Sequence, residues 1–245
     1  MRTGRPIRRV PSQVPPARSA RLHAVYHAMA DALGPQGWWP GRTRFEVIVG
    51  AILTQNTSWA NVARAIDRLQ RARVLAPEAM AALPQARLAQ LIRSSGYYNV
   101  KAGRVKRFLV FLRSRYGLNL SRMFARRPSS LRKELLAVPG IGPETADSIL
   151  LYAGGVPIFV VDAYTRRILS RHGLIGPDAT YDQMQALFMG ALPPNTSLYN
   201  EYHALLVAVG KAYCRPVPRC AGCPLRGDLE QHCPTTTRRF LALSP

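Results

Sequence analysis

The chain has 245 residues, 47% of them apolar, enough to bury one large core or two modest ones. No apolar run approaches the roughly 18–20 residues of a membrane span, and the first residues lack the apolar stretch of a secretory signal, so a soluble intracellular protein, cytoplasmic or at the nucleoid, is expected. The charge is extreme: 34 Lys+Arg oppose 13 Asp+Glu, a formal net charge of +21.

Six of the basic residues fall in the first 21 positions with no acid among them: Arg2, Arg5, Arg8, Arg9, Arg18 and Arg21. The other 28 still exceed the acids by 15, so the body of the chain is basic as well. Such an excess points to a polyanionic partner, most simply nucleic acid. The competing explanation is solubility in an arginine-rich chain, since only four of the basic residues are lysines.

In chain order, residues 1–21 are rich in Arg and Pro and are expected to form a disordered arm. From there the apolar residues repeat with helical spacing: Phe45, Ile48, Val49, Ile52 and Leu53; Trp59, Val62, Ala63 and Ile66; Val105, Phe108, Leu109 and Leu112; Tyr202, Leu205, Leu206 and Val209. Gly96 and Gly117 read as helix stops, Asn99 and Thr196 as caps. Only Ile158–Val161 suggests extended chain, and it is isolated. The expected class is all-α.

Two segments interrupt this pattern. The first, Leu135-Leu136-Ala137-Val138-Pro139-Gly140-Ile141-Gly142-Pro143-Glu144-Thr145-Ala146, reads as helix, tight turn, helix. Pro143 suits a first helical position, and the glycines allow positive φ and a close approach to another molecule. The second helix would offer free N–H groups to a phosphate, although an ordinary helical hairpin has the same pattern. The second segment, Val160-Val161-Asp162-Ala163-Tyr164, puts an acid between an apolar run and a helix. Taken alone, Asp162 reads as an N-cap. A capping acid at the mouth of a cleft would also be an oriented carboxylate.

The hairpin from Val138 to Gly142 followed by Val161-Asp162 resembles the helix-hairpin-helix (HhH-GPD) DNA glycosylase superfamily, in particular its endonuclease III-like branch. Leu53-Thr54-Gln55-Asn56-Thr57 is similar to the family's Gln-bearing turn, and Ser95-Gly96-Tyr97-Tyr98-Asn99-Val100-Lys101-Ala102 to another of its segments. The resemblance runs from about residue 40 to the C-terminus. It implies base excision from double-stranded DNA with Asp162 as the catalytic carboxylate. It implies that Gln55 fills the gap left by the extruded nucleotide and that Tyr97 wedges into the stack. Val138, Pro139, Gly140, Ile141 and Gly142 would hold the DNA backbone. Ordinary packing remains the alternative for Tyr97 and Tyr98.

One departure is informative. Bifunctional members carry a lysine where this chain has Glu144, and a carboxylate cannot form the imine that leads to strand cleavage. A monofunctional glycosylase that uses water is therefore expected, with lyase activity weak or absent; Lys133 on the preceding helix is the nearest amine in sequence. The run Gly140-Ile141-Gly142-Pro143-Glu144-Thr145-Ala146-Asp147-Ser148-Ile149 further resembles the 3-methyladenine DNA glycosylase III subgroup, making an alkylated purine a plausible substrate. Trp38, Trp39, Trp59 and Tyr152 are candidates to stack on a base, with core packing as the alternative.

The four cysteines, Cys214, Cys220, Cys223 and Cys233, lie in one stretch with no others to pair with. In an intracellular protein such a group suits a metal better than disulfides, and the spacing leaves zinc and iron–sulfur open. The resemblance implies a [4Fe–4S] cluster, though the last loop is longer than the family's usual one. Lys211, Arg215, Arg219 and Arg226 would then make the cluster loop a phosphate contact, or simply a solvated face.

The expected architecture is a helical-barrel lobe over 40–152 ending in the hairpin, an iron–sulfur lobe from 22–39 with 153–235, and a tail over 236–245. DNA would cross a cleft holding Asp162, and a monomer is expected. Two rival readings are a non-enzymatic DNA-binding protein that uses the hairpin as a phosphate clamp, and a zinc-ribbon-like module. The second explains the cysteines but not the hairpin and carboxylate.

Overall fold

A computed structural model describes residues 14–38 and 41–232. Among these residues all regular structure is helical, as the spacing predicts. In chain order the helices are α1 (Pro16–Leu33), α2 (Arg44–Leu53), α3 (Trp59–Arg71), α4 (Pro77–Ala82), α5 (Gln85–Leu91), α6 (Tyr98–Tyr116) and α7 (Leu120–Phe124). They continue with α8 (Pro128–Leu136), α9 (Pro143–Ser148), α10 (Ala163–Arg171), α11 (Tyr181–Ala191), α12 (Thr196–Ala212) and α13 (Arg226–His232). A 3₁₀ turn covers Arg93–Ser95, and a π turn, Ile149–Ala153, extends α9. Ile158–Val161 is buried but joins no sheet among the described residues.

The chain divides into two compact units. The hairpin unit comprises Gln36–Asp162 with Asn195–Ala204, and the cysteine unit comprises, over described residues, 14–35, 163–194 and 205–232. Residues 153–162 and the first half of α12 thus cluster with the hairpin.

The hairpin unit is organised around α2. Thr43 Oγ1 accepts from Glu46 N–H at 3.1 Å and starts the helix, and every residue from Phe45 to Leu53 is buried. A helix apolar all round must be surrounded, and α3, α6, α9 and the π turn do so. On α3 the buried stripe is Val62, Ala65, Ile66 and Leu69; Ala63, expected inward, is exposed. Helix α6 buries Val105, Phe108, Leu109 and Leu112 as expected and ends at Gly117 in the left-handed conformation.

Three local expectations change. Residues 16–21 belong to α1 rather than to a disordered arm, because Pro16 starts a helix whose Leu22, Val25 and Met29 are buried. Arg21 meets both oxygens of Asp228 at 2.7 and 2.8 Å, and His172 Nδ1 meets Asp228 at 2.6 Å. Residues 1–13 of the expected arm lie outside the described residues. Asn99 lies inside α6, one residue past its start. Thr196 is the first residue of α12, and Asn195 caps it, accepting from Leu198 N–H at 2.9 Å; Thr196 donates to Gly155 O at 3.0 Å instead.

Candidate active site

The hairpin is locked at its base. Arg132 of α8 donates to both carboxylate oxygens of Asp147 of α9, at 2.7 and 3.0 Å, and Asp147 is fully buried. Pro143 takes the first position of α9, as expected. In the turn, Val138 and Ile141 face inward, so they anchor the loop and only Pro139, Gly140 and Gly142 are exposed. Gly140 has φ +96°, and a Cβ there would fall 2.6 Å from Arg104 Cγ. Arg107 of the same helix, α6, donates to Pro139 O at 2.8 Å. Gln55 is tied to this turn as well: its amide donates to Gly140 O at 3.1 Å and Thr145 Oγ1 at 2.8 Å, and its carbonyl accepts from Arg104.

Three polar side chains of the same unit gather around Asp162. Asp162 directly precedes α10, the cap position the sequence assigns it, and its side chain is 12% exposed. His203, on the buried face of α12, approaches Asp162 Oδ2 with Nε2 at 3.6 Å. Its Nδ1 lies 2.6 Å from the Tyr152 hydroxyl. Tyr152 stands on the π turn, which reorients the residues after α9. Glu144, on the first turn of α9, is open to solvent yet crowded by protein, as a group in a recess is.

The electrostatics single out Glu144. Loss of hydration pushes the Glu144 carboxyl up to about 7; the Asp162 charge adds to the rise and His203 opposes it. The Tyr152 phenol is pushed well above its usual value, by burial first and by the Asp162 and Glu144 charges next. Trp38 acts on that phenol in the opposite sense, and its ring is 6.4 Å from that of Trp59. Trp38, Trp59 and Tyr152 therefore belong to one neighbourhood; Trp39 lies outside the described residues.

Tyr97 precedes α6 in a left-handed conformation, φ +44°, with 74% of its surface exposed. A non-glycine residue there is strained, and an exposed aromatic gains nothing from the core, so packing does not explain it. Beneath it Lys101, fully buried, donates to Leu53 O at 2.9 Å and Ser95 O at 2.5 Å. One ammonium thus ties the Gln55 turn to the segment bearing Tyr97. Burial, with help from Arg104, lowers the Lys101 amine to about 8.

Residues 49–194, more than half of the chain, match the model of the HhH-GPD superfamily of base excision DNA repair proteins. The chain belongs to this superfamily. A Methanocaldococcus jannaschii protein described as a DNA repair glycosylase is 45% identical over 207 residues, 84% of this chain and 94% of its own length. Endonuclease III of Thermotoga maritima is 30% identical over 199 residues, covering 80% of this chain and 84% of the relative. Among solved structures, a Helicobacter pylori 3-methyladenine DNA glycosylase bound to 1,N6-ethenoadenine superposes with a TM-score of 0.65 at 27% identity, over 79% of this chain and 97% of that one.

The cysteine unit of this HhH-GPD protein brings three thiols near one another. Cys214 and Cys220 are buried and Cys223 is partly so; Cys233 lies outside the described residues. Burial pushes the Cys223 thiol up to about 11, and the neighbouring Cys214 and Cys220 add to the rise. Arg171 donates to Cys214 Sγ at 3.3 Å, and Arg167 to Cys214 O at 2.6 Å. An arginine donor at the Cys214 sulfur is a contact that favours a thiolate, the form in which cysteine holds a metal. Among the described residues no set of three side chains is by itself gathered tightly enough to hold a metal. Lys211 is exposed in the last turn of α12.

Sequence reasoning did not find His203 or Arg104. The signal for His203 was available: an imidazole beside Tyr202 in a strongly apolar helix, on a face that turns out to be buried. Arg104 gave none, since an arginine on a basic helix resembles any solvated cation.

Proposed function

We propose that this protein is a monofunctional DNA N-glycosylase that takes a damaged base out of duplex DNA and hydrolyses the base–sugar bond with water. The observation that carries the reading is the pairing of a half-buried Asp162 with Glu144 in one recess beside the hairpin, Glu144 filling the place of the lyase lysine. As the base leaves, positive charge grows on the sugar. A fixed carboxylate at Asp162 offsets that charge and can accept a proton from the attacking water. The glycosidic carbon is inaccessible in a stacked duplex, so the nucleotide must be extruded at a cost of a few kcal/mol. Tyr97 is the wedge in this reading. Gln55 fills the vacated space after leaving its bonds to Gly140 and Thr145. The turn at Pro139–Gly142 and Lys211 take backbone phosphates.

The lysines support the absence of an imine step. Of the four in the chain, Lys101 and Lys106 are committed to backbone carbonyls, Lys133 and Lys211 are exposed on α8 and α12, and none stands beside Glu144 in sequence. The likeness to a 3-methyladenine glycosylase favours an alkylated purine as substrate. Cys214, Cys220 and Cys223, with Cys233, would hold a [4Fe–4S] cluster. When bound, that group would supply a cross-link that fixes the loop after α12. Absorbance near ~400 nm with stoichiometric iron and sulfide supports this, whereas a colourless zinc protein rejects it.

Base release from DNA carrying alkylated, oxidised or deaminated bases tests the function. The expected result is release of at least one lesion, with Asp162→Asn slowing it by ~10²-fold or more and leaving DNA affinity nearly unchanged. Borohydride should trap no covalent adduct; efficient trapping would instead favour a bifunctional enzyme using Lys133. Equal release by wild type and Asp162→Asn would overturn the role of Asp162. DNA binding without release of any base would leave the non-enzymatic clamp.

A further inference from the structure

We propose that His203 is a positioning residue for Asp162, held by Tyr152 in the tautomer that turns its Nε2–H toward the Asp162 carboxylate and keeps that carboxylate ionised. The role in catalysis rests on the glycosylase reading; the tautomer does not.

The geometry runs as a relay within one unit. The Tyr152 hydroxyl and His203 Nδ1 are 2.6 Å apart, and one of the two must donate. Tyr152 is the donor: an Nδ1–H tautomer would turn the bare Nε2 lone pair onto the Asp162 carboxylate, whereas the phenol, which burial keeps protonated, can donate to Nδ1 and leave an N–H facing that carboxylate. Nδ1 is then the acceptor, the ring is neutral, and its proton lies on Nε2. Nε2 is buried with no hydrogen-bond partner, and it faces Asp162 Oδ2 at 3.6 Å. A buried N–H without an acceptor is costly and rare. Hydrogen bonds in empty active sites are often long before substrate tightens them.

The groups facing the imidazole come from three segments: Glu144 from α9, Tyr152 from the π turn, and Asp162 ahead of α10. At Glu144 lost hydration and the Asp162 charge push the carboxyl up. With its N–H directed at Asp162, the imidazole biases the proton shared by the two acids toward Glu144. Asp162 stays negative, as stabilising a cationic sugar requires, and Glu144 is left as the protonated partner.

Two measurements on the full chain test this. ¹⁵N-histidine NMR should show His203 as the Nε2–H tautomer across neutral pH, with Tyr152→Phe converting it to a mixture. ¹³C NMR of the Asp162 carboxyl should show its titration moving up by about one pH unit in His203→Phe. His203→Gln, whose amide can place an N–H where Nε2 stood, should restore most of that shift. If the wild type releases a base, the acid limb of its pH–rate profile should move in the same way: up in His203→Phe, back in His203→Gln. An Nδ1–H tautomer, or Phe and Gln variants with the same Asp162 titration as wild type, would overturn the proposal. A wild type that releases no base sinks the glycosylase reading alone, since both NMR readouts need no turnover. Should His203→Phe not fold, the Gln and Tyr152→Phe variants still decide the outcome.

Discussion

Two acids share one recess and meet different surroundings there. Asp162 stands 3.6 Å from an imidazole nitrogen, while Glu144 is crowded by protein and pushed up to about 7. Because the folded chain holds the Glu144 proton more tightly than the unfolded chain does, this group's contribution to stability is complete below its ordinary value near 4.5 and is lost as pH rises through about 7. Glu144→Gln lacks that dependence. The variant should match wild type in urea denaturation at acid pH and exceed it at alkaline pH. The gain should be at most about 1 kcal/mol, because solvent reaches the group and screens it. A difference between the two proteins that does not change with pH would show that Glu144 ionises as freely as an exposed acid. The sequence exposed half of this chemistry. Asp162 and Glu144 were both legible as acids next to the hairpin and its following helix. Their different environments were not, because the Tyr152–His203 pair that shapes them comes from positions fifty-one residues apart.

At the scale of elements, the hairpin is a turn held from three sides. Arg132 and Asp147 close its base, Arg104 and Arg107 of α6 clasp its tip, and Gln55 bonds across it. Gly140 is required twice over, by its φ of +96° and by the Arg104 side chain lying where a Cβ would stand. Gly140→Ala should therefore cost about 1–3 kcal/mol in urea denaturation, and DNA affinity should fall as the turn shifts. Arg132→Met, which strips the guanidinium from a fully buried Asp147, should cost about 3 kcal/mol, read as a lowered Tm. Gln55 is the residue whose surroundings the sequence disclosed least. Its position in the turn was legible, but its bonds to Gly140 and Thr145 mean that any move into DNA begins by breaking them. The α3 stripe and the α12 cap shifted by a residue or two for an ordinary reason: tertiary neighbours choose which of several adjacent apolar or polar residues turns inward.

The whole molecule carries +21, and a protein that neutralises six or more phosphates should lose ~10³-fold or more in DNA affinity between about 50 and 200 mM salt. Deleting residues 1–13, with Arg2, Arg5, Arg8 and Arg9, should reduce the log–log slope by no more than about 4. A salt-independent affinity would remove the electrostatic basis of binding. By itself the sequence determined what depends on order along the chain. It determined the helical class from periodicity, the hairpin from its Pro-Gly-Ile-Gly letters, the basic character from composition, and the family from motifs in sequence. Tertiary structure decided what depends on distance across the chain. It made residues 16–21 part of a helix, with Arg21 bound to Asp228, and it set Lys101 under two loops at once. It also turned Tyr152 and His203 toward Asp162. The physical reason is the same in each case: a hydrogen bond or an ion pair is a matter of a few ångströms, and residues far apart in sequence acquire that separation only when the core between them has packed.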